Sequence, residues 1–208
     1  MKNMQKQIAV WVFVLAAGTA THADQLAVAV AADAAFPQMP VVQRVASING
    51  NCGADRTVHP VVAYCTSSNT ILLADTAGEE PARDYLLAHA FGHAVQVRHG
   101  VADVALREIR NRPDDEMILR GYVERQVDCI AGFILAQAGL QQPDLAALFQ
   151  TDPLDRPHWG RSPLRLGPHL DVPVAERAEW LLTGHTQGLA GCAVGEFSAD
   201  LLLEALRQ

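Results

Sequence analysis

Two histidines in the segment Tyr85-Leu-Leu-Ala-His-Ala-Phe-Gly-His-Ala-Val-Gln96 stand four residues apart, at His89 and His93. On a helix, four residues advance by about 400°, so both imidazoles project from nearly the same face, one turn apart. Two ring nitrogens at this spacing can hold one zinc ion. Taken alone the pair is weak support for a metal site, because most such pairs are incidental.

A second pair with matching chemistry follows at Glu124 and Asp128, again four residues apart. A glutamate can supply the third zinc ligand beside two histidines. An aspartate one helical turn further on can accept the free ring N–H of a liganding histidine, which fixes the tautomer of that ring. The alternative is a solvated helix face on which Glu124, Arg125 and Asp128 form ion pairs. The spacing by itself leaves both interpretations open.

Two long helices are predicted to carry these pairs. Residues 82–99 contain no proline and a single glycine, Gly92. Pro81 suits the first position of this helix, and Gly100 suits a left-handed residue after its end. A second helix is expected from residue 114 or 115 to about residue 138, because apolar residues recur there at helical spacing. These residues are Ile118, Val123, Val127, Ile130 and Ile134.

The surrounding segments predict an α+β fold. Residues 41–47, 58–65 and 70–74 have strand character, residues 66–69 suit a hairpin turn, and Pro60 favours an edge position for the second strand. Residues 152–173 contain five prolines and are expected to form an extended loop, before helices at about 174–182 and 196–207. The predicted order is a small antiparallel sheet or hairpin followed by a mainly helical domain.

The first residues are typical of a secretory signal peptide. Lys2 and Lys6 precede an apolar run at residues 8–17, which is too short for a stable bilayer anchor, and a Thr-x-Ala pattern ends at Ala23. An uncut membrane anchor is the alternative. We expect a periplasmic or secreted protein with no membrane span after cleavage. The predicted organisation is a signal peptide at residues 1–23, a poorly determined lead-in segment at 24–45 and a single domain at 46–208.

The charge of the chain argues against two classes of partner. The full sequence has a net charge of −7. Removal of residues 1–23 takes away both lysines and no acid, so 14 arginines face 23 acidic residues and the net charge becomes −9. A chain this acidic, with scattered arginines, lacks the basic surface that nucleic acid or anionic lipid requires. We therefore expect neither as a partner.

Four cysteines, at positions 52, 65, 129 and 192, all lie after the predicted signal peptide. An even number of cysteines in an exported chain favours disulfides, and three pairings are formally open. Cys52–Cys65 would close a short loop, whereas Cys129–Cys192 would tie a central helix to the C-terminal region. Buried free thiols are the alternative. A cysteine zinc site is not expected, because the chain has no Cys-x-x-Cys and no close Cys/His pair.

Both of the four-residue pairs lie within longer patterns. Residues 89–96 read His-Ala-Phe-Gly-His-Ala-Val-Gln, and residues 124–132 read Glu-Arg-Gln-Val-Asp-Cys-Ile-Ala-Gly. A cysteine-bracketed hairpin segment precedes them at 52–75, and an Arg-x-x-Trp … Gly … Cys … Phe pattern follows at 177–197. Together these segments resemble the neutral zinc metallopeptidases of bacteria, a gluzincin-like family whose pattern includes His-Glu-x-Gly-His-x-Val-Gln and Glu-x-Gln-Ala-Asp-Cys-x-Ala-Gly. The likeness covers about residues 50–197.

The resemblance implies a zincin-like fold with two zinc-ligand helices, and a zinc-dependent hydrolase of peptides. It implies that His89, His93 and Glu124 hold the zinc ion and that Asp128 orients a liganding histidine. The positions of the cysteines in the matched segments also favour the pairings Cys52–Cys65 and Cys129–Cys192.

Ala90 departs from the family pattern at the residue that matters most for catalysis. The family has a glutamate there, which removes a proton from zinc-bound water and passes it to the leaving amine. A methyl group can do neither. Proton transfer of this kind contributes about 10²–10⁴ in rate, or roughly 3–5 kcal/mol of barrier. The sequence therefore predicts that no intact catalytic residue remains at this position, while the zinc ligands do.

Several explanations of Ala90 stay open. The chain can be a natural pseudopeptidase that uses the former catalytic cleft of the family to bind a peptide or protein. It can be an active hydrolase whose base lies elsewhere, for which Glu79, Glu80 and Glu116 are available acids. Ala90 can also be an engineered replacement in an active peptidase. A protein of another class, a structural or interaction protein of the cell envelope with a vestigial metal site, is the rival hypothesis. The sequence leaves the oligomeric state open.

Overall fold

Just over half of the described residues are helical in the computed structural model, which describes residues 26–78, 81–157 and 170–206. The α+β class is confirmed, because a small sheet is followed by a mainly helical region. In chain order the elements are α1 Ala27–Ala35, β1 Val41–Val45, β2 Val62–Cys65, β3 Thr70–Ala74, α2 Ala82–Arg98, α3 Val101–Asn111, α4 Glu116–Gln137, α5 Leu145–Leu148, α6 Val174–Gln187 and α7 Asp200–Ala205.

The sheet is mixed, which corrects the expectation of a purely antiparallel one. β2 and β3 form the predicted antiparallel hairpin, and β2 lies at an edge, as Pro60 indicated. β1 pairs with the opposite side of β3 and runs parallel to it, so the strand order is β1-β3-β2. The long connection between β1 and β2 allows this order, because the chain can cross to the far edge before the hairpin starts. The strand character of these residues does not specify whether β1 runs parallel or antiparallel to β3.

The lead-in segment at residues 24–45, which the sequence left poorly determined, contains α1, which was not predicted, and β1, which lies within the strand expected at residues 41–47. α1 buries Val28, Ala31 and Ala32 on one face, at the spacing of a narrow amphipathic helix. Phe36 follows the helix and packs edge-on against Phe133 of α4, with 5.9 Å between ring centroids. The small alanine side chains obscured the helical pattern, although they allow α1 to pack closely against its neighbours.

α2 is the central element of the fold. Every residue from Asp84 to Gln96 is buried, and the helix contacts α1, β2, α3 and α4. It follows Pro81 and ends before Gly100, which has the predicted left-handed conformation with φ of 81°. α4 also agrees with the prediction in type and extent. α3 was not predicted, although its buried residues Val101, Ala105 and Ile109 recur at helical spacing.

α4 and α6 approach each other so closely that only glycine fits at two positions. A Cβ atom on Gly132 would overlap the carbonyl oxygen of Leu181, and one on Gly184 would overlap the carbonyl oxygen of Cys129. The two helices therefore pack backbone against backbone. α6 begins at Val174 as expected, but it extends to Gln187 rather than to about residue 182.

The structure contains the disulfides Cys52–Cys65 and Cys129–Cys192, as the resemblance implied, and no free cysteine among the described residues. Both pairs fit an oxidising compartment and thus an exported protein. The proposed signal peptide at residues 1–23 lies outside the described residues. So do residues 158–169 in the middle of the predicted proline-rich loop, whose described ends contain neither helix nor strand. In the described part of the chain, no helix has the length and apolarity needed to cross a bilayer.

Removing the disulfides gives a first testable prediction. Replacing Cys129 and Cys192 together by alanine is expected to lower the free energy of unfolding by about 4 kcal/mol, and replacing Cys52 and Cys65 by about 3 kcal/mol. The difference arises because the bonds close loops with sequence separations of 63 and 13 residues. Urea unfolding measures both effects, and non-reducing peptide mapping checks the pairing. Four alkylatable thiols in native exported protein would contradict the assignment.

Candidate metal centre

The two long helices bring the three predicted ligands together. His89 and His93 lie on α2 and Glu124 lies on α4, and one ligand atom from each lies within 4.8 Å of the others. The Nε2 atom of His89 is 3.4 Å from Glu124 Oε2, and the Nε2 atom of His93 is 3.6 Å from Glu124 Oε1. All three residues are buried, with relative exposures of 0%, 1% and 8%. The structure therefore contains a buried His-His-Glu group that can hold a metal ion.

A close crossing of α2 and α4 brings these side chains within reach of each other. A Cβ atom on Gly92 would lie 2.8 Å from the carbonyl oxygen of Val127, so glycine is needed where the helices meet. One turn further along, the buried amide of Gln96 donates to the carbonyl oxygen of Val123 (3.2 Å) and to Gln126 Oε1 (3.0 Å). These bonds hold α4 beside α2 next to Glu124. Sequence reasoning assigned no role to either glutamine.

Asp128 is the centre of a buried hydrogen-bond network beside the ligands. Its carboxylate accepts hydrogen bonds from His89 Nδ1 (2.8 Å), the Tyr85 hydroxyl (3.0 Å) and Arg177 Nη1 (2.9 Å). Because Asp128 is an acceptor, the network assigns the proton of His89 to Nδ1 and directs Nε2 toward Glu124. This is the geometry predicted for an aspartate that orients a liganding histidine.

Burial and charge set the protonation of the groups around Asp128. Burial raises the pKa of Tyr85 well above its ordinary value, and the Asp128 carboxylate raises it further, so the phenol stays protonated and donates. Burial by itself lowers the pKa of His89, but the carboxylates of Asp128 and Glu124 outweigh it and raise the pKa above its ordinary value. A metal ion at Nε2 of His89 therefore competes with a proton for that nitrogen.

Arg177 and Asp152 form the part of the site that sequence reasoning missed. Arg177 is 1% exposed, and its Nε and Nη2 donate to the two carboxylate oxygens of Asp152, at 2.8 and 3.0 Å. Its Nη1 also lies 3.6 Å from Glu124 Oε2. Burial lowers the pKa of this guanidinium, but the carboxylates around it have the larger combined effect and keep it charged. Arg177 shares the buried face of α6 with Leu181 and Gly184, a spacing that could have identified it as a core residue.

The buried cluster around Glu124 carries an excess of negative charge that a divalent cation would offset. Glu124, Asp128 and Asp152 are three buried carboxylates, and Arg177 contacts all three of them. With both histidines neutral, this cluster carries a net charge of −2. A buried charge is costly unless it is compensated, and a dication at the His-His-Glu group would compensate it. The donor set and the charge thus both fit a metal ion, although neither fixes which metal.

Ala90 lies in the core next to His89, with 1% exposure. Glu116 does not take the place of the missing glutamate. It lies at the start of α4, paired with Arg120 at 2.8 Å, and it is eight residues from Glu124, roughly 12 Å along the helix. Glu79 and Glu80 lie outside the described residues. The buried acids Asp128 and Asp152 are each occupied by several hydrogen-bond donors.

His59 also lies near the site, but its contacts indicate a structural role. Its Nδ1 accepts hydrogen bonds from the backbone N–H groups of Val61 (3.3 Å) and Val62 (3.2 Å). Its own backbone N–H donates to the carbonyl oxygen of Pro157 (2.7 Å), and burial lowers the pKa of its ring. His59 thus joins the start of β2 to the end of the segment that follows Asp152.

Comparisons with protein-family models, with curated proteins and with solved structures found no match to this chain. The likeness to neutral zinc metallopeptidases therefore remains a prediction from the motifs. The function has to be argued from the geometry and chemistry of the site itself.

Proposed function

We propose that the protein is an exported zinc-binding relative of the neutral zinc metallopeptidases in which peptide hydrolysis is strongly impaired. The observation that carries the proposal is the buried group of His89, His93 and Glu124, with Ala90 directly after the first histidine. The zincin-like fold and the family relationship belong to the same proposal. They are supported by the two helices that carry the ligands and by the two disulfides.

The donor set is the main reason to propose zinc. Two imidazole nitrogens and one carboxylate oxygen form a ligand set that zinc uses in hydrolytic sites, where a fourth position stays open. Asp128 supports this use because it holds His89 with Nε2 directed toward Glu124. Zinc bound there would act as a Lewis acid and would lower the pKa of a coordinated water toward about 7.

The acids considered above, Glu116 and Asp128, do not replace the missing proton carrier. Ala90 has no proton-accepting group, Glu116 is too far away, and the Asp128 carboxylate already accepts from three donors. Loss of general acid–base catalysis costs about 10²–10⁴ in rate. The retained ligands and the missing base together favour a protein that binds a peptide or protein segment in its cleft and hydrolyses it slowly at best.

Zinc stoichiometry tests this proposal directly. Protein purified without chelator is expected to contain about one zinc ion per chain, and His93→Ala is expected to contain almost none, because two remaining ligands hold zinc weakly. His185→Ala is the matched control, since it removes a partly buried histidine whose Nε2 contacts the carbonyl oxygen of Leu140 on another part of the fold. Elemental analysis gives the result, and circular dichroism confirms that each variant is folded.

Wild-type protein that stays zinc-free after incubation with zinc and desalting would contradict the proposal. It would favour the rival hypothesis of an envelope interaction protein with a vestigial site.

The burial of the ligands also favours a structural use of the metal ion, in which it stabilises the fold. His89, His93 and Glu124 are at most 8% exposed, so a bound ion would be linked to the folded state of both helices. An ion that binds the folded chain alone stabilises it by mass action. Zinc can thus support the fold of a binding protein even where it supports no hydrolysis. A rise in the thermal unfolding midpoint with added zinc, absent in His93→Ala, is the expected sign of this use.

A further inference from the structure

A continuous chain of polar contacts leads from the metal ligands to a distant part of the backbone. The Nη1 atom of Arg177, on α6, lies 3.6 Å from Glu124 Oε2 and 2.9 Å from Asp128 Oδ2. The two other guanidinium nitrogens bind Asp152 in a bidentate arrangement. A guanidinium is a rigid planar fork, so a shift at one of its edges moves the other.

Asp152 extends this chain of contacts to two backbone positions. Its Oδ1 accepts from the backbone N–H of Leu154 at 2.9 Å, and its Oδ2 accepts from the backbone N–H of Val172 at 3.0 Å. Asp152, Leu154 and Val172 are all buried. One carboxylate therefore holds together two pieces of backbone that lie far apart in the sequence, and the same carboxylate neutralises Arg177.

We propose that Asp152 and Arg177 are positioning residues that couple metal binding at His89, His93 and Glu124 to the attachment of the backbone at Leu154 and Val172. The proposal rests on the zinc site proposed above and names the residues outside the ligand set that control it. Because coupling between two sites is reciprocal, metal binding strengthens the backbone attachment as much as the attachment strengthens metal binding.

The charge of Arg177 gives the physical reason for the coupling. The guanidinium lies beside Glu124, so it competes with a metal ion for the carboxylate oxygen and repels a dication. Asp152 offsets both effects, because it binds two of the guanidinium nitrogens and supplies a compensating negative charge. Without that charge, Arg177 would be drawn toward Glu124 and the metal affinity would fall.

Substitution of Asp152 by asparagine tests the proposal through zinc affinity. Asp152→Asn keeps the size of the side chain and removes its charge, and we expect zinc to bind about tenfold more weakly, as is typical for the supporting partners of metal ligands. Glu176→Gln is the matched control. It removes a partly exposed ion pair with Arg125, 2.6 Å long, between α6 and α4. Competition with a chromophoric chelator measures both affinities, and the control is expected to stay within about twofold of the wild type.

Equal zinc affinities of Asp152→Asn and the wild type would overturn the coupling while leaving the zinc site itself intact. A wild-type protein that binds no zinc would overturn both proposals together. The two failures are therefore distinguishable in one titration series.

A measurement on the unaltered protein covers the case in which Asp152→Asn does not fold. Amide hydrogen exchange at Leu154 and Val172 is expected to slow by at least about fivefold when zinc is added, the lower end of common coupling strengths. The amide of Thr57 is the internal control, because it also donates to an aspartate, Asp55 Oδ1 at 2.8 Å, in an exposed turn. Exchange at Leu154 and Val172 that does not respond to zinc, in protein that binds zinc, would overturn the proposal.

Discussion

Replacement of Arg177 by methionine is expected to destabilise the zinc-free protein by about 3–5 kcal/mol, the usual cost of removing one partner from a buried ion network. Arg177 is 1% exposed and contacts the carboxylates of Glu124, Asp128 and Asp152. Methionine fills a similar volume but leaves these carboxylates buried without their cation. A typical domain is stable by only about 5–15 kcal/mol, so this single change removes a large part of its stability. Urea unfolding followed by circular dichroism measures the loss.

The matched control for this prediction is Arg125→Met. Arg125 lies on α4 and pairs with Glu176 of α6, but its side chain is 24% exposed and that of Glu176 is 31% exposed. Ion pairs with this degree of exposure contribute about 0–1 kcal/mol, so the control should unfold near the wild-type urea concentration. A loss below about 1 kcal/mol for Arg177→Met as well would show that the buried carboxylates do not depend on this guanidinium.

The part of the site that sequence reasoning could predict is the part set by helix geometry. His89 and His93 share a face because they are four residues apart on a helix, and the same spacing relates Glu124 to Asp128. The ends of α2 could also be predicted, because Pro81 and Gly100 are residues with strong backbone preferences. Only the family resemblance indicated that α2 and α4 pack against each other with these side chains facing. The structure agrees with it through the crossing at Gly92.

The elements that sequence reasoning missed depend on contacts between distant segments. Arg177 and Asp152 are 25 residues apart and belong to a helix and a loop, so no helical or strand period relates them. The parallel pairing of β1 with β3 likewise depends on where the chain returns to the sheet, which the residues of β1 do not specify. α1 was obscured by its alanine-rich composition, because small side chains give a weak amphipathic signal.

Substitution of Ala90 by glutamate is expected to raise peptidase activity by about 10²-fold or more, provided that the rest of the cleft is intact. Ala90 directly follows His89 on α2, and in the family that the motifs resemble the glutamate at this position works beside the zinc-bound water. Zinc lowers the pKa of that water without help, so a low residual activity is expected of the alanine form. The carboxylate adds a group that carries a proton to the leaving amine. Zinc content should stay unchanged, because Ala90 is not a ligand.

The matched control for Ala90→Glu is Ala90→Gln, which adds a side chain of the same size without a carboxylate. Ala90 is 1% exposed, so both substitutions crowd a buried position equally, and a gain specific to glutamate isolates the proton-carrying group. Hydrolysis of casein, with and without a chelator, measures the activity of the three forms at matched zinc content. No gain in folded, zinc-loaded Ala90→Glu would mean that the cleft has lost other parts of its catalytic geometry. Full, chelator-sensitive activity in the wild type would mean that another residue acts as the base, and the proposal of an impaired enzyme would then be wrong.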